Sequence, residues 1–128
     1  GSALLPSPTH VGGLRYHGMA PMLSHLVHHG HVEPRAYGQK ECLEAGIQFA
    51  RTEGIMPAPE ATHAIKGVVD EALKCKAEGK SKSILFNLCG HGHFDMQAYM
   101  DYFSGELAED SFDAKAFEES LSTIPAVN

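Results

Sequence analysis

Apolar residues recur at helical spacing along much of this chain, and two short runs between the helices are almost wholly apolar. The clearest stripe is Ile65, Val68, Val69, Ala72 and Leu73. It predicts a helix that begins at Ala61 or Thr62 and is stopped by Gly79, with Lys74, Lys76 and Lys80 favouring its carboxyl end. Leu43, Ile47 and Ala50, flanked by Cys42, Gly46 and Phe49, predict a helix over 39–53 that ends at Gly54. Leu23, Leu26 and Val27 predict one over 20–29, with Pro21 in its first turn and Gly30 as its stop. A fourth fits Asp95–Phe103 with Asp95 as cap, and Asp113 suits the cap of a last helix carrying Phe117 and Leu121.

The runs Ile55–Ala58 and Ser83–Leu88 read as buried strands. Val32–Tyr37 is a weaker strand, confined to an edge by Pro34. Helices alternating with apolar strands predict an α/β fold: a partial three-layer αβα domain, its short parallel sheet flanked by helices. The crossover from 55–58 to 84–88 through the helix near 62–78 should be right-handed. So narrow a sheet leaves edges to cover, which makes the chain part of something larger. Residues 1–18, with Pro6, Pro8, Gly12, Gly13 and Gly18, read as an extended lead-in whose Gly1-Ser2 has the form of a cloning scar. Residues 19–128 then make a single α/β domain.

Composition narrows the setting. A chain of 128 residues with 43% apolar and 20% charged residues suits one globular domain. Its net charge of -6 argues against a nucleic-acid partner, and no apolar run approaches the ~20 residues of a membrane helix. Cys42, Cys75 and Cys89 are odd in number and irregularly spaced, as expected of free thiols in the reducing cytoplasm.

Chemistry concentrates where the second apolar run ends, at Leu88-Cys89-Gly90-His91-Gly92-His93-Phe94-Asp95. A turn after a buried strand lies at the sheet edge where α/β proteins bind ligands. Gly90 and Gly92 let the backbone approach a ligand closely, and Cys89 can point into the crevice. The plain alternative is a glycine-rich connection with a buried cysteine. His91, His93 and Asp95 have the alternate spacing of a metal site, against which stands the role of Asp95 as a helix cap. His25, His28 and His29 read as a solvated helix face. Glu60 occupies a second strand-to-helix junction, where an anion is favoured by the helix dipole in any case. If the two strands are neighbours, Glu60 and Cys89 face one crevice.

Three segments carry a family resemblance: Gly-Gly-Leu-Arg-Tyr-His-Gly-Met-Ala-Pro (12–21), Ala-Arg-Thr-Glu-Gly-Ile-Met-Pro-Ala-Pro-Glu (50–60) and Ile-Leu-Phe-Asn-Leu-Cys-Gly-His-Gly-His-Phe-Asp (84–95). In this order they resemble the carboxyl-terminal part of a tryptophan synthase β chain, and more closely the TrpB2-like group. The resemblance covers nearly all of 8–104. It implies a piece of the cofactor-binding domain of a fold-type II pyridoxal-phosphate enzyme, a lyase of tryptophan biosynthesis that joins indole to L-serine by β-replacement. It places Cys89, where the family usually has serine, beside the pyridine nitrogen of pyridoxal 5'-phosphate, and Glu60 beside the ring edge. Gly90 and Gly92 would shape the backbone around the ring. Gly13, Tyr16 and Gly18 correspond to a loop whose carbonyls hold a monovalent cation. Arg15 stands where better-known β chains carry an aspartate used in closure.

The resemblance also implies what is missing. The family's Schiff-base lysine lies in an amino-terminal part, and none of the lysines here has the matching context. No Gly-Gly-Gly-Ser-Asn phosphate loop occurs in the sequence. The chain is therefore expected to be one wall of a site, inactive alone, with the missing amino-terminal part or a second copy in a homodimer as partner. The rival readings are a small self-associating binding or assembly module and a metal-dependent enzyme using His91, His93 and Asp95.

Overall fold

The computed structural model describes residues 10, 12–16, 18–107 and 114–122. Among them are α1 (Pro21–His28), α2 (Gln39–Glu53), α3 (Pro59–Ala77), α4 (Met96–Ser104) and α5 (Ala114–Ser122), with short 3-10 turns at Gly12–Leu14 and Gly92–Phe94. The chain divides into two compact units, 1–34 with 110–128, and 35–109. The boundary falls after Pro34, whereas the sequence suggested one at residue 18.

The first unit contains α1 and α5. Pro21 opens α1, which closes through His31 N–H donating to the Leu26 carbonyl at 2.9 Å and Gly30 N–H to that of Val27 at 3.0 Å. None of its residues is buried. Asp113, the expected cap of α5, lies outside the described residues.

The second unit is organised by α2 packed along α3. The Gly38 N–H donates to Glu41 Oε1 at 2.8 Å ahead of α2, and Gly54, at φ 71°, ends it. Gly46 makes the close approach possible, because a Cβ there would lie 2.5 Å from Thr62 Cγ2. Thr62 is fully buried and satisfies its hydroxyl locally, donating to the Pro59 carbonyl at 2.6 Å. Leu43, Tyr99 and Leu107 form the core, with Ile47, Met56 and Tyr102 against them. Cys42 is buried beside this core, and burial pushes its thiol up to about 12, with Glu41 adding to the effect.

The expected parallel sheet is not formed: the described residues contain no strand. Their single β-bridge is antiparallel and joins Pro57 to His91, beyond the run predicted to pair. Residues 80–89 take no regular structure. Lys82 Nζ reaches Glu71 Oε1 at 2.8 Å, and Phe86 meets Phe49 edge-on with ring centroids 6.0 Å apart. Leu85, between them, is 96% exposed. An apolar run becomes a buried parallel strand only with neighbouring strands and cover on both faces. Here 83–88 rests one side on the α2–α3 pair and has no strand beside it.

The stripe on α3 needs the same correction. Ile65 is buried, Val68 and Val69 are half-buried, and Ala72 and Leu73 are exposed. No helix among the described residues is long and apolar enough to cross a membrane.

Candidate functional site

The two junctions singled out in the sequence do converge. The Gly92 N–H donates to the Met56 carbonyl at 2.9 Å, beside the Pro57–His91 bridge. Tyr99, on α4, passes beneath and donates its hydroxyl to the Pro57 carbonyl at 2.6 Å. This buried phenol is pushed up to about 12, by burial first and the nearby Asp95 charge second, so it remains a donor at neutral pH.

Both glycines are required by this contact. A Cβ on Gly92 would lie 2.6 Å from the Pro57 carbonyl oxygen and 3.0 Å from Met56 Cγ. Gly90 sits at φ +69°, and a Cβ there would stand 3.2 Å from that of Ala58. A left-handed residue next to a close backbone approach is a glycine position on both counts. Gly90 and Gly92 thus close the contact with the Met56–Ala58 loop, and Cys89, just before them, is an exposed thiol. Glu60, two residues beyond Ala58, stands half-buried in the first turn of α3.

The metal reading gains no support. Among the described residues no three His, Cys, Asp or Glu side chains are gathered to hold an ion. His91 uses Nδ1 to accept the His93 N–H at 3.3 Å, and the two rings lie 4.6 Å apart. Asp95 occupies the cap position of α4 with φ -114° and ψ 19° but makes no side-chain capping bond. The preceding 3-10 turn holds it at the wrong backbone angles, and its own N–H donates to the Gly92 carbonyl at 3.0 Å.

Gly13, Tyr16 and Gly18 lie in the other unit, Gly13 within the Gly12–Leu14 turn and Tyr16 largely exposed. At the end of α1 the His25 and His29 rings meet at a tilt of 59° with centroids 4.1 Å apart.

One residue at this site escaped the sequence reading. His63, one helical turn after Glu60, has a buried Nε2 with no hydrogen-bond partner. Burial lowers its affinity for a proton, with the carboxylates of Glu60 and then Glu41 opposing. The Glu-x-x-His spacing in the first turns of a helix was the available signal.

No family model matches the chain. It is similar to tryptophan synthase beta chain 2 of Aquifex aeolicus, with 57% identity over 109 residues, 85% of this chain and 25% of that protein. The beta chain 2 of Methanosarcina mazei is 59% identical over 103 residues, and the tryptophan synthase beta chain of Thermococcus gammatolerans 59% over 102, each covering 80% of this chain and 23% of the relative. The chain thus spans about a quarter of the length of the curated relatives it matches.

Proposed function

We propose, from this chain's kinship with a quarter-length stretch of tryptophan synthase β chains, that it is the carboxyl-terminal wall of such an enzyme's cofactor site. The reaction of the whole enzyme would be replacement of the hydroxyl of L-serine by indole, giving L-tryptophan. The observation that supports this reading is the close contact of Gly90 and Gly92 with Met56–Ala58, which joins the loop after Cys89 to the loop before Glu60.

The residues present suit one side of pyridoxal 5'-phosphate. Cys89 offers a neutral thiol to the ring nitrogen, a weak donor or acceptor that would leave that nitrogen largely unprotonated. Glu60 offers a carboxylate at the ring edge, and Gly90 and Gly92 a backbone without side chains in the way. When bound, the cofactor supplies the electron sink for chemistry at the amino acid's α and β carbons. This chain's share is to orient the ring and fix charge at its nitrogen and its edge. The sequence holds no Gly-Gly-Gly-Ser-Asn loop for the phosphate. Anchoring by phosphate and by a lysine Schiff base falls to the remainder of the enzyme. Gly13, Tyr16 and Gly18 are its monovalent-cation loop in this reading.

The remainder would also complete the fold. Residues 84–88 become a strand of the α/β domain once neighbouring strands pair with them, and Leu85 is then covered. The three unpaired cysteines support a cytoplasmic setting. The exposed Leu85 and Phe94 favour one alternative, association of the chain with a second copy into a homodimer. Light scattering at tens of micromolar, an order-of-magnitude range for modest affinity, tests it. A monomer would remove it.

The functional test mixes the chain with pyridoxal phosphate, L-serine and indole, with and without a separately produced amino-terminal part. Tryptophan should form only in the mixture and fall in Glu60→Ala. Formation by the chain alone, above free cofactor, would overturn the one-wall reading.

A further inference from the structure

An open groove of about 470 Å³ lies on the second unit. Glu44, Ile47, Gln48 and Arg51 of α2 line one side, and Tyr102 and Phe103 of α4 the other. The four α2 positions are spaced i, i+3, i+4 and i+7, so they share one helix face. Glu44 and Arg51 stand exposed at its two ends, roughly 10 Å apart along the axis. Among the described residues neither has an ion pair or a side-chain hydrogen bond. Phe103 carries the groove onto an apolar row: Met96, Met100 and Phe103, at i, i+4 and i+7 on α4, are all exposed, the last to 64%. The core uses other positions of that helix, Ala98 and Tyr99. A row of large apolar side chains left in water beside polar ones marks an interaction surface.

We propose that this α2–α4 face is where two copies of the chain associate, as a two-fold dimer with their α2 helices antiparallel. A partner for the face must bring an anion to Arg51 and a cation to Glu44, with apolar surface between them. A second α2, related by an axis that passes between positions 47 and 48, supplies both. Glu44 of each copy meets the partner's Arg51, and the match is made twice, as a two-fold interface requires. Phe103 of each copy lies against the partner's α2. Copies of net charge -6 repel one another overall, and a locally neutral, self-complementary face is where that repulsion is offset. None of these residues belongs to the Cys89 or Glu60 loops or to 84–88, so the dimer is independent of the function proposed above.

Sedimentation equilibrium of the intact chain tests the proposal at tens of micromolar, an order-of-magnitude range for modest affinity. The parent chain should be largely dimeric. Glu44→Arg and Arg51→Glu should each weaken association by roughly tenfold or more, since two attractive pairs become two repulsive ones. The double variant Glu44→Arg/Arg51→Glu should regain the parent's affinity, and an equimolar mixture of the two single variants should form a heterodimer. Both side chains are exposed, so far-ultraviolet circular dichroism of each variant should match the parent. Phe103→Ser should weaken the dimer without altering any charge. A parent chain that is monomeric throughout would overturn the proposal, whether or not the variants fold. So would a dimer that neither single variant weakens, because it would use another face, or a double variant no tighter than the single ones. Tryptophan formation in the completed enzyme is a separate measurement, so failure here is distinguishable from failure of the one-wall reading.

Discussion

The hydroxyl of Tyr99 donates to the carbonyl of Pro57 at 2.6 Å, across 42 positions of sequence. Tyr99 is 1% exposed and lies in the core with Leu43 and Leu107. One side chain therefore ties the helix after the glycine turn to the loop before α3. The contact between the two loops and the core of the unit are held by the same residue.

Tyr99→Phe keeps the ring and removes the donor, leaving the Pro57 carbonyl buried without its partner. The expected loss is about 1–3 kcal/mol. In a unit of this size each kcal/mol corresponds to roughly 4–8 °C in Tm. Thermal melting followed by circular dichroism checks it. An unchanged midpoint would mean that water replaces the hydroxyl without cost.

Gly92→Ala tests the close approach directly. The new methyl would meet a backbone oxygen at 2.6 Å, and backbone cannot swing aside as a side-chain tip can. A loss of about 1–3 kcal/mol is expected, as for other overpacked sites. Gly18→Ala is the control, since nothing lies within 4 Å of its Cβ position. Urea denaturation should separate the two, and equal midpoints would show that the loop yields.

On α3, Ile65→Ala should cost about 2–5 kcal/mol and Leu73→Ala no more than about 0.5. The first is 2% exposed and the second 58%. Val69→Asp, expected from the stripe alone to unfold the domain, should cost less than a fully interior charge because Val69 is half-buried.

That contrast shows what could be read from sequence. The bounds of α2 were legible to the residue, because its stripe and Gly54 agree and its partner helix is in the chain. The start of α3 lies earlier than Ala61 or Thr62, since Pro59 is well suited to the first helical position. The approach of the loop after Cys89 to the loop before Glu60 was expected through paired strands, whereas it is made without a sheet, by the Gly92 N–H on the Met56 carbonyl. The sheet was not. An apolar run records that it is meant to be covered, but not whether the covering strands belong to the same chain. For the same reason Ala72 and Leu73 keep the pattern of a buried face while standing in solvent. His63 was missed because a histidine in a helix carries no periodic signal.

Protonation of His63 should make stability depend on pH above the carboxylate range. Its folded affinity for protons is lowered by burial. The unfolded chain therefore takes up the proton first as pH falls through about 6.5, and the folded state loses ground from there down to its own lower midpoint. Above about 6.5 the residue contributes no pH dependence. Chemical denaturation at pH 7.5 and 5.5 should show a loss that disappears in His63→Gln. Asp70 and Glu71, whose pKa values are lowered mainly by bonds to Lys66 and Lys82, act in the same direction at more acid pH, so they do not explain a change in this window.

The thiols should divide two to one. Cys42 and Cys75 are buried and Cys89 is exposed. A chromogenic disulfide reagent at pH 8 should titrate one thiol rapidly in the native chain and three in denaturant, and Cys89→Ser should abolish the rapid phase. Rapid reaction of all three in native buffer would contradict the packing of α2 against its neighbours.

As one wall of a larger α/β site, residues 84–88 are a strand waiting for neighbours. Hydrogen exchange at their amides measures this directly. In the chain alone these amides should exchange rapidly, because no ladder holds them. On adding the amino-terminal part of a tryptophan synthase β chain they should become protected together with residues 55–58, while the centre of α2 changes little. Amides that remain unprotected in the mixture, or that are already protected in the isolated chain, would contradict the reading of this protein as one wall of a larger α/β site.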